Sequence, residues 1–138
     1  MRSKASKRKK HLLRFLFLLS IPLVIFFCYQ AWSRNQIISL ENIENAAISL
    51  NGKILNENSV VTVHVNLNRF YDYEGYFIDC TLDAEVAQIE LHQKFSFIHP
   101  AKELFLDVPL IGLGDYEKIS EVQLVNLFKK ETKTIYQK

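Results

Sequence analysis

SVVTVHVNLN, Ser59 to Asn68, decides the fold: Val61, Val63, Val65 and Leu67 alternate with Thr62, His64, Asn66 and Asn68. Side chains that change direction every residue belong to a β-strand with one face in a core and the other in water. The pattern continues downstream. Tyr76, Ile78, Cys80 and Leu82 alternate with Phe77, Asp79, Thr81 and Asp83, and this run is expected to pair with the first across the connection RFYDYEG. A third run, 87–98, places Ile89, Leu91, Phe95 and Phe97 on one side and is broken by His99-Pro100. A fourth, KELFLDVPL at 102–110, alternates through Leu104, Leu106, Val108 and Leu110, with Pro109 marking an edge or a strand end. Beyond a turn at GLGD (112–115), SEVQLVNLF (120–128) and TKTIYQ (132–137) form an expected hairpin about Lys130-Glu131. Upstream, Asn51-Gly52 between short apolar runs predicts a type I′ hairpin, because both of its central residues need positive φ.

Seven to nine short strands at spacings of about ten residues predict an all-β domain, an antiparallel β-sandwich. It resembles the immunoglobulin architecture only in the broad sense, since the Cys, Trp, Cys core of true immunoglobulin domains is missing.

Ahead of this domain lies FLFLLSIPLVIFFCYQAW, Phe15 to Trp32, eighteen residues without Asp, Glu, Lys or Arg. As a helix it is about 27 Å long at about 1.5 Å per residue, close to the hydrocarbon thickness of a bilayer. Seven of the first fourteen residues are basic and none is acidic, which by the positive-inside rule keeps the amino terminus in the cytoplasm. Tyr29 and Trp32 then fall at the outer interface. A cleavable signal peptide fits less well, because cleavage after Ala31 puts Tyr29 where a small side chain is wanted. A type IV pilin-like leader also fits poorly, because 11–35 contain neither the Gly nor the Glu such leaders carry. The expected organisation is a basic cytoplasmic tail (1–14), a transmembrane signal-anchor helix (15–32), a connector able to open a first strand at Ile37, Ile38 and Leu40 (33–45), and an extracytoplasmic β domain (46–138).

Charge divides the same way. The 138-residue chain carries +2, the first fourteen residues +7, and the remainder ten basic against fifteen acidic residues, a net of −5. An acidic outer domain argues against a nucleic-acid partner, while the basic tail suits orientation and anionic lipid. Cys28 and Cys80 lie in different regions, so the domain holds no internal disulfide and stands on packing. No Asn-x-Ser/Thr acceptor occurs. These features point to a bacterial cell membrane as the setting.

The most distinctive local stretch is RFYDYEGYF, 69–77, five aromatics beside two carboxylates at an expected hairpin end. Tyr71, Asp72, Tyr73 and Glu74 are the expected partner-binding residues, since Tyr gives large contact area at low entropic cost. The competing reading makes Tyr76 and Phe77 the next strand, Phe70 an end plug, and leaves Tyr71 and Tyr73 exposed. Catalytic residues are not expected. Cys80 follows Ile78-Asp79 with no later Arg, unlike the Thr-Leu-x-Thr-Cys run of a sortase, and its inward position suits an inert thiol. His92 and His99, seven apart, face opposite sides of one strand, Asp72, Glu74, Asp79 and Asp83 lack EF-hand spacing, and Gly112-x-Gly114 lacks a following helix. Neither metal nor cofactor is expected. The sequence thus implies a non-enzymatic, membrane-anchored binding or assembly module with a protein partner in the envelope, such as an accessory subunit of a secretion or surface structure. An immunity protein acting against a toxin at the membrane has the same features.

Overall fold

The computed structural model describes residues 2–34, 36–50, 52–96 and 103–138. The chain divides into two compact units, Met1–Arg34 and Asn35–Lys138. The first is a single helix, α1 (Arg2–Arg34), which continues through Pro22. Its stretch Lys4–Trp32 is long and apolar enough to cross a membrane, and its leucines and phenylalanines are exposed along the whole length. Lipid is the solvent in which such a surface costs nothing, and membrane helices tolerate proline inside the span.

The second unit is mostly β. Its strands are β1 (Ile43–Ser49), β2 (Val60–Asn66), β3 (Tyr71–Cys80), β4 (Val86–Phe95), β5 (Glu103–Pro109), β6 (Glu121–Asn126) and β7 (Glu131–Gln137). They form two sheets, β1-β2-β5 and β3-β4-β6-β7. Both sheets bury residues in one hydrophobic cluster. In the first sheet antiparallel register stacks the inward residues in rows across the strands: Ile48–Val61–Val108, Ala46–Val63–Leu106 and Ile43–Val65–Leu104. The alternation of Ser59–Asn68 is therefore the inner face of the central strand, with Val61, Val63 and Val65 wholly buried. Ala87, Ile89 and Leu91 of β4 and Val122 and Leu124 of β6 answer from the second sheet. Burying each such aliphatic side chain contributes about 1.5–3 kcal/mol, the main force available without a disulfide in this unit.

Between the units' boundary and β1 the chain changes sheet. Ile38 N–H donates to the Leu91 carbonyl at 2.8 Å and Gln93 N–H to that of Gln36 at 2.7 Å, a short antiparallel addition to β4. A single 3-10 turn, Leu40–Asn42, then leads into β1 beside β2. This crossover is fastened from the β6–β7 turn. The buried Asn126 amide donates to the Ile37 and Ile38 carbonyls at 3.5 Å, and the Glu131 carboxylate accepts Leu40 N–H at 3.0 Å. Ile37, Ile38 and Ile43 all lie in the core, so this segment packs as part of the domain.

The strand pairing departs from the sequence expectations in three places. The tight turn expected at Asn51-Gly52 falls partly outside the described residues, at Asn51; Gly52 has a positive φ of +90, but the chain from there to Ser59 is irregular and neither Leu50 nor Lys53 is in a strand. Leu55 is buried in the core instead of joining a strand, and Asn56 and Ser59 cap a local turn, so β1 meets β2 across a ten-residue connection. Nor do β2 and β3 pair. Leu67 is buried, the chain passes from one sheet to the other there, and β3 pairs with β4. Lastly, the sheets are not antiparallel throughout: β4 and β6 run parallel, Val86↔Glu121 to Ile89↔Leu124. Between them the chain visits β5 in the other sheet, and so long an excursion lets β6 return in the direction of β4. The terminal hairpin forms as expected, β6 against β7, with Lys130 at φ +55 in its turn. The expected break at His99-Pro100 and the position of Phe97 lie outside the described residues.

Candidate functional site

The outer face of β1-β2-β5 is where directional chemistry gathers. Register places His64 of β2 directly between Asn45 of β1 and Phe105 of β5. Phe105 stacks parallel on the imidazole, centroids 4.3 Å apart and planes within 5°. His64 Nδ1 lies 3.1 Å from Glu44 Oε2 and its Nε2 2.6 Å from Glu103 Oε1. Glu44 reaches the ring because the β1–β2 register shifts between Ile43 and Asn45, and such a bulge re-aims a side chain. Asn66 donates to the other Glu44 oxygen at 3.3 Å, and Thr62 donates to Asp107 at 2.8 Å one row along. The His64 side chain is only 18% exposed, against 51% and 60% for the two glutamates. Among the described residues these three bring together donor atoms within 4.8 Å of one another, close enough for one ion. With a carboxylate at each ring nitrogen, His64 has none left to serve a nucleophile.

The residues expected to contact a partner occupy a different element. Tyr71, Asp72, Tyr73 and Glu74 belong to β3, not to a loop; the hairpin end expected there is only the turn at Arg69-Phe70. Tyr71, Asp72 and Tyr73 are half-buried, while Glu74 is exposed beside a bulge, the register shifting between Tyr73 and Gly75. Tyr76 and Phe77, expected to be strand residues, are strand residues, and both are exposed, as is Phe70, the expected plug of the sandwich end. Tyr73 packs against the core, and burial, followed by neighbouring Tyr76, pushes its phenol above the usual range. Tyr71 also lines a polar cleft of about 260 Å³ with Ser39, Glu41, Asn68, Gln93 and Lys129, smaller than the roughly 300–1,000 Å³ of drug-sized ligand sites.

Cys80 is half-buried, its Sγ 3.8 Å from the Leu113 carbonyl. Burial first and the adjacent Asp79 second push its thiol up, away from the thiolate a nucleophile needs. Asp79, Asp83 and Glu74 are dispersed: Asp79 caps its own strand at Cys80 N–H, and Asp83, held below the usual carboxylate range by Thr81 and the Glu85 amide, closes the β3–β4 turn. His92 sits on the far sheet with its Nε2 buried and, among the described residues, without a hydrogen-bond partner, and His99 lies outside the described residues.

Sequence reasoning missed the Glu44–His64–Glu103 cluster because it weighed the histidines along the chain, and these ligands converge across three strands. The signal was present in the outward parity of His64 on β2 and of Glu103 and Phe105 on β5. Reading it requires knowing that β5 lies beside β2. No protein family, no curated protein and no solved structure matches this chain.

Proposed function

We propose that this chain is a non-enzymatic binding or assembly module of the cell envelope, held by residues 15–32 in the bilayer with its amino terminus in the cytoplasm and its β domain outside. The basic flank, the apolar helix and the net −5 of the remainder support that placement. The two sheets pack as a sandwich, immunoglobulin-like in the broad sense. Support comes from the shared core, from the order β1-β2-β5, and from the Tyr116 hydroxyl, which donates to the Leu110 carbonyl between β5 and β6 much as a tyrosine corner does. The parallel β4–β6 pair departs from that pattern.

The observation that carries the binding role is β3. It is ten residues long, lies at the end of its sheet, and exposes Glu74, Tyr76 and Phe77. A long edge strand with aromatic side chains offers main-chain hydrogen bonds and contact area to an added strand. The contact strip is therefore Tyr71, Asp72, Tyr73 and Glu74 extended by Tyr76 and Phe77. A photo-crosslinking amino acid at position 77 in living cells tests it. One discrete adduct, lost on adding Tyr76→Asp, is the expected result; no adduct, or a smear unchanged by that substitution, contradicts it.

A further inference from the structure

We propose that Glu44, His64 and Glu103 form a binding site for a divalent transition-metal ion of the zinc or copper class. One imidazole nitrogen and one oxygen from each carboxylate already lie within 4.8 Å of one another. Ligands at about 2.0–2.2 Å from a common ion stand roughly 3–3.5 Å apart, so one glutamate must swing from its own ring nitrogen toward the other to complete the shell. The imidazole selects for zinc, copper or nickel over magnesium and calcium, which prefer oxygen alone. Three protein ligands leave at least one position for water or a partner's side chain, as in an open metal site.

The surroundings are those of a held ligand set rather than of loose surface charges. Phe105 stacked on His64 fixes the ring plane, and Asn66 on one Glu44 oxygen leaves the other aimed at the ring. Such outer contacts orient metal ligands and tune their affinity. All three ligands stand on strands, where the backbone hydrogen bonds of β1-β2-β5 fix their spacing. An ion entering the cluster binds a neutral imidazole nitrogen and the carboxylates, and any proton these groups carry leaves to solvent.

The test is isothermal titration of the full chain in detergent micelles with Zn²⁺, beside the visible absorption of bound Co²⁺. Wild type is expected to take up one ion whose affinity falls at least about tenfold in His64→Gln and again in Glu103→Gln, with the Co²⁺ band lost in both. Glu103→Gln keeps the shape of the side chain and decides the matter if His64→Gln does not fold. Identical isotherms for wild type and both variants place any bound ion elsewhere, at His11 or the amino terminus, and overturn the proposal. Binding by wild type only in the millimolar range overturns it equally, leaving His64 as a hydrogen-bonded clamp between β1 and β5.

Discussion

The two faces of the β1-β2-β5 sheet are built from alternate residues of the same strands, yet they obey different physics. Inside, Val61, Val63 and Val65 meet Ile43, Ala46, Ile48, Leu104, Leu106 and Val108 in rows whose only demand is shape and apolar area. Outside, one residue along, Thr62, His64 and Asn66 meet Asp107, Glu103 and Glu44 through contacts that need a particular atom at a particular distance. The inner face is non-directional, so many sequences suit it. The outer face is directional, so each of its contacts depends on the identity of the residues that make it.

Neighbouring substitutions on β5 break this comparison most sharply. Leu106→Ala removes inward bulk and is expected to lower stability by about 3 kcal/mol in chemical denaturation. Phe105→Ala, one residue along and 71% exposed, is expected to cost less than about 1 kcal/mol while freeing the His64 ring. Equal losses at the two positions erase the distinction. Between them falls Asn126→Ala, which strands the Ile37 and Ile38 carbonyls and is expected to cost about 2 kcal/mol. Local hydrogen exchange at Ile38 and Gln93 should rise with it, since those two amides join residues 36–38 to β4.

Smaller effects lie in the turns and the exposed carboxylates. Lys130 at φ +55 and Ala84 at φ +59 hold a left-handed conformation that glycine adopts freely, so each change to Gly is expected to stabilise by about 0.5 kcal/mol. Glu121 is held below the usual carboxylate range by Thr134 at 2.5 Å and then by Gln123 at 2.7 Å. A depressed carboxylate contributes stability above its unfolded pKa, near about 4, and loses it as pH falls through the folded value. Thr134→Val is therefore expected to lower stability at neutral pH and to flatten the decline below about pH 4. An unchanged acid slope in thermal melts at several pH values excludes Glu121 as a contributor.

What the sequence made legible follows the same division. Period-two runs located β2, the centre of β4, β5 and the β6–β7 hairpin, because a half-buried strand writes its inner face into its own residues. Partners between strands left no such mark. Asn51-Gly52 had the composition of a tight hairpin, whereas Leu55 is buried in the core and ten residues separate the end of β1 from the start of β2. The tyrosines of 71–73 read as loop residues because Asp72, Glu74 and Gly75 interrupt the alternation, and the β3 bulge is what absorbs that interruption. The Glu44–His64–Glu103 cluster was illegible for the plainest reason, that its three members meet only once the order β1-β2-β5 is known.

The proposed placement of the β domain outside the membrane is tested most directly by a single cysteine. With Cys28 and Cys80 replaced by Ser, Leu82→Cys puts a thiol at a fully exposed position in the β3–β4 turn. A membrane-impermeant maleimide added to intact spheroplasts is predicted to label it as fully as after lysis, on a polypeptide that still carries its lysine-rich amino terminus. Labelling that appears only after lysis, or a mature chain lacking residues 1–32, contradicts the account.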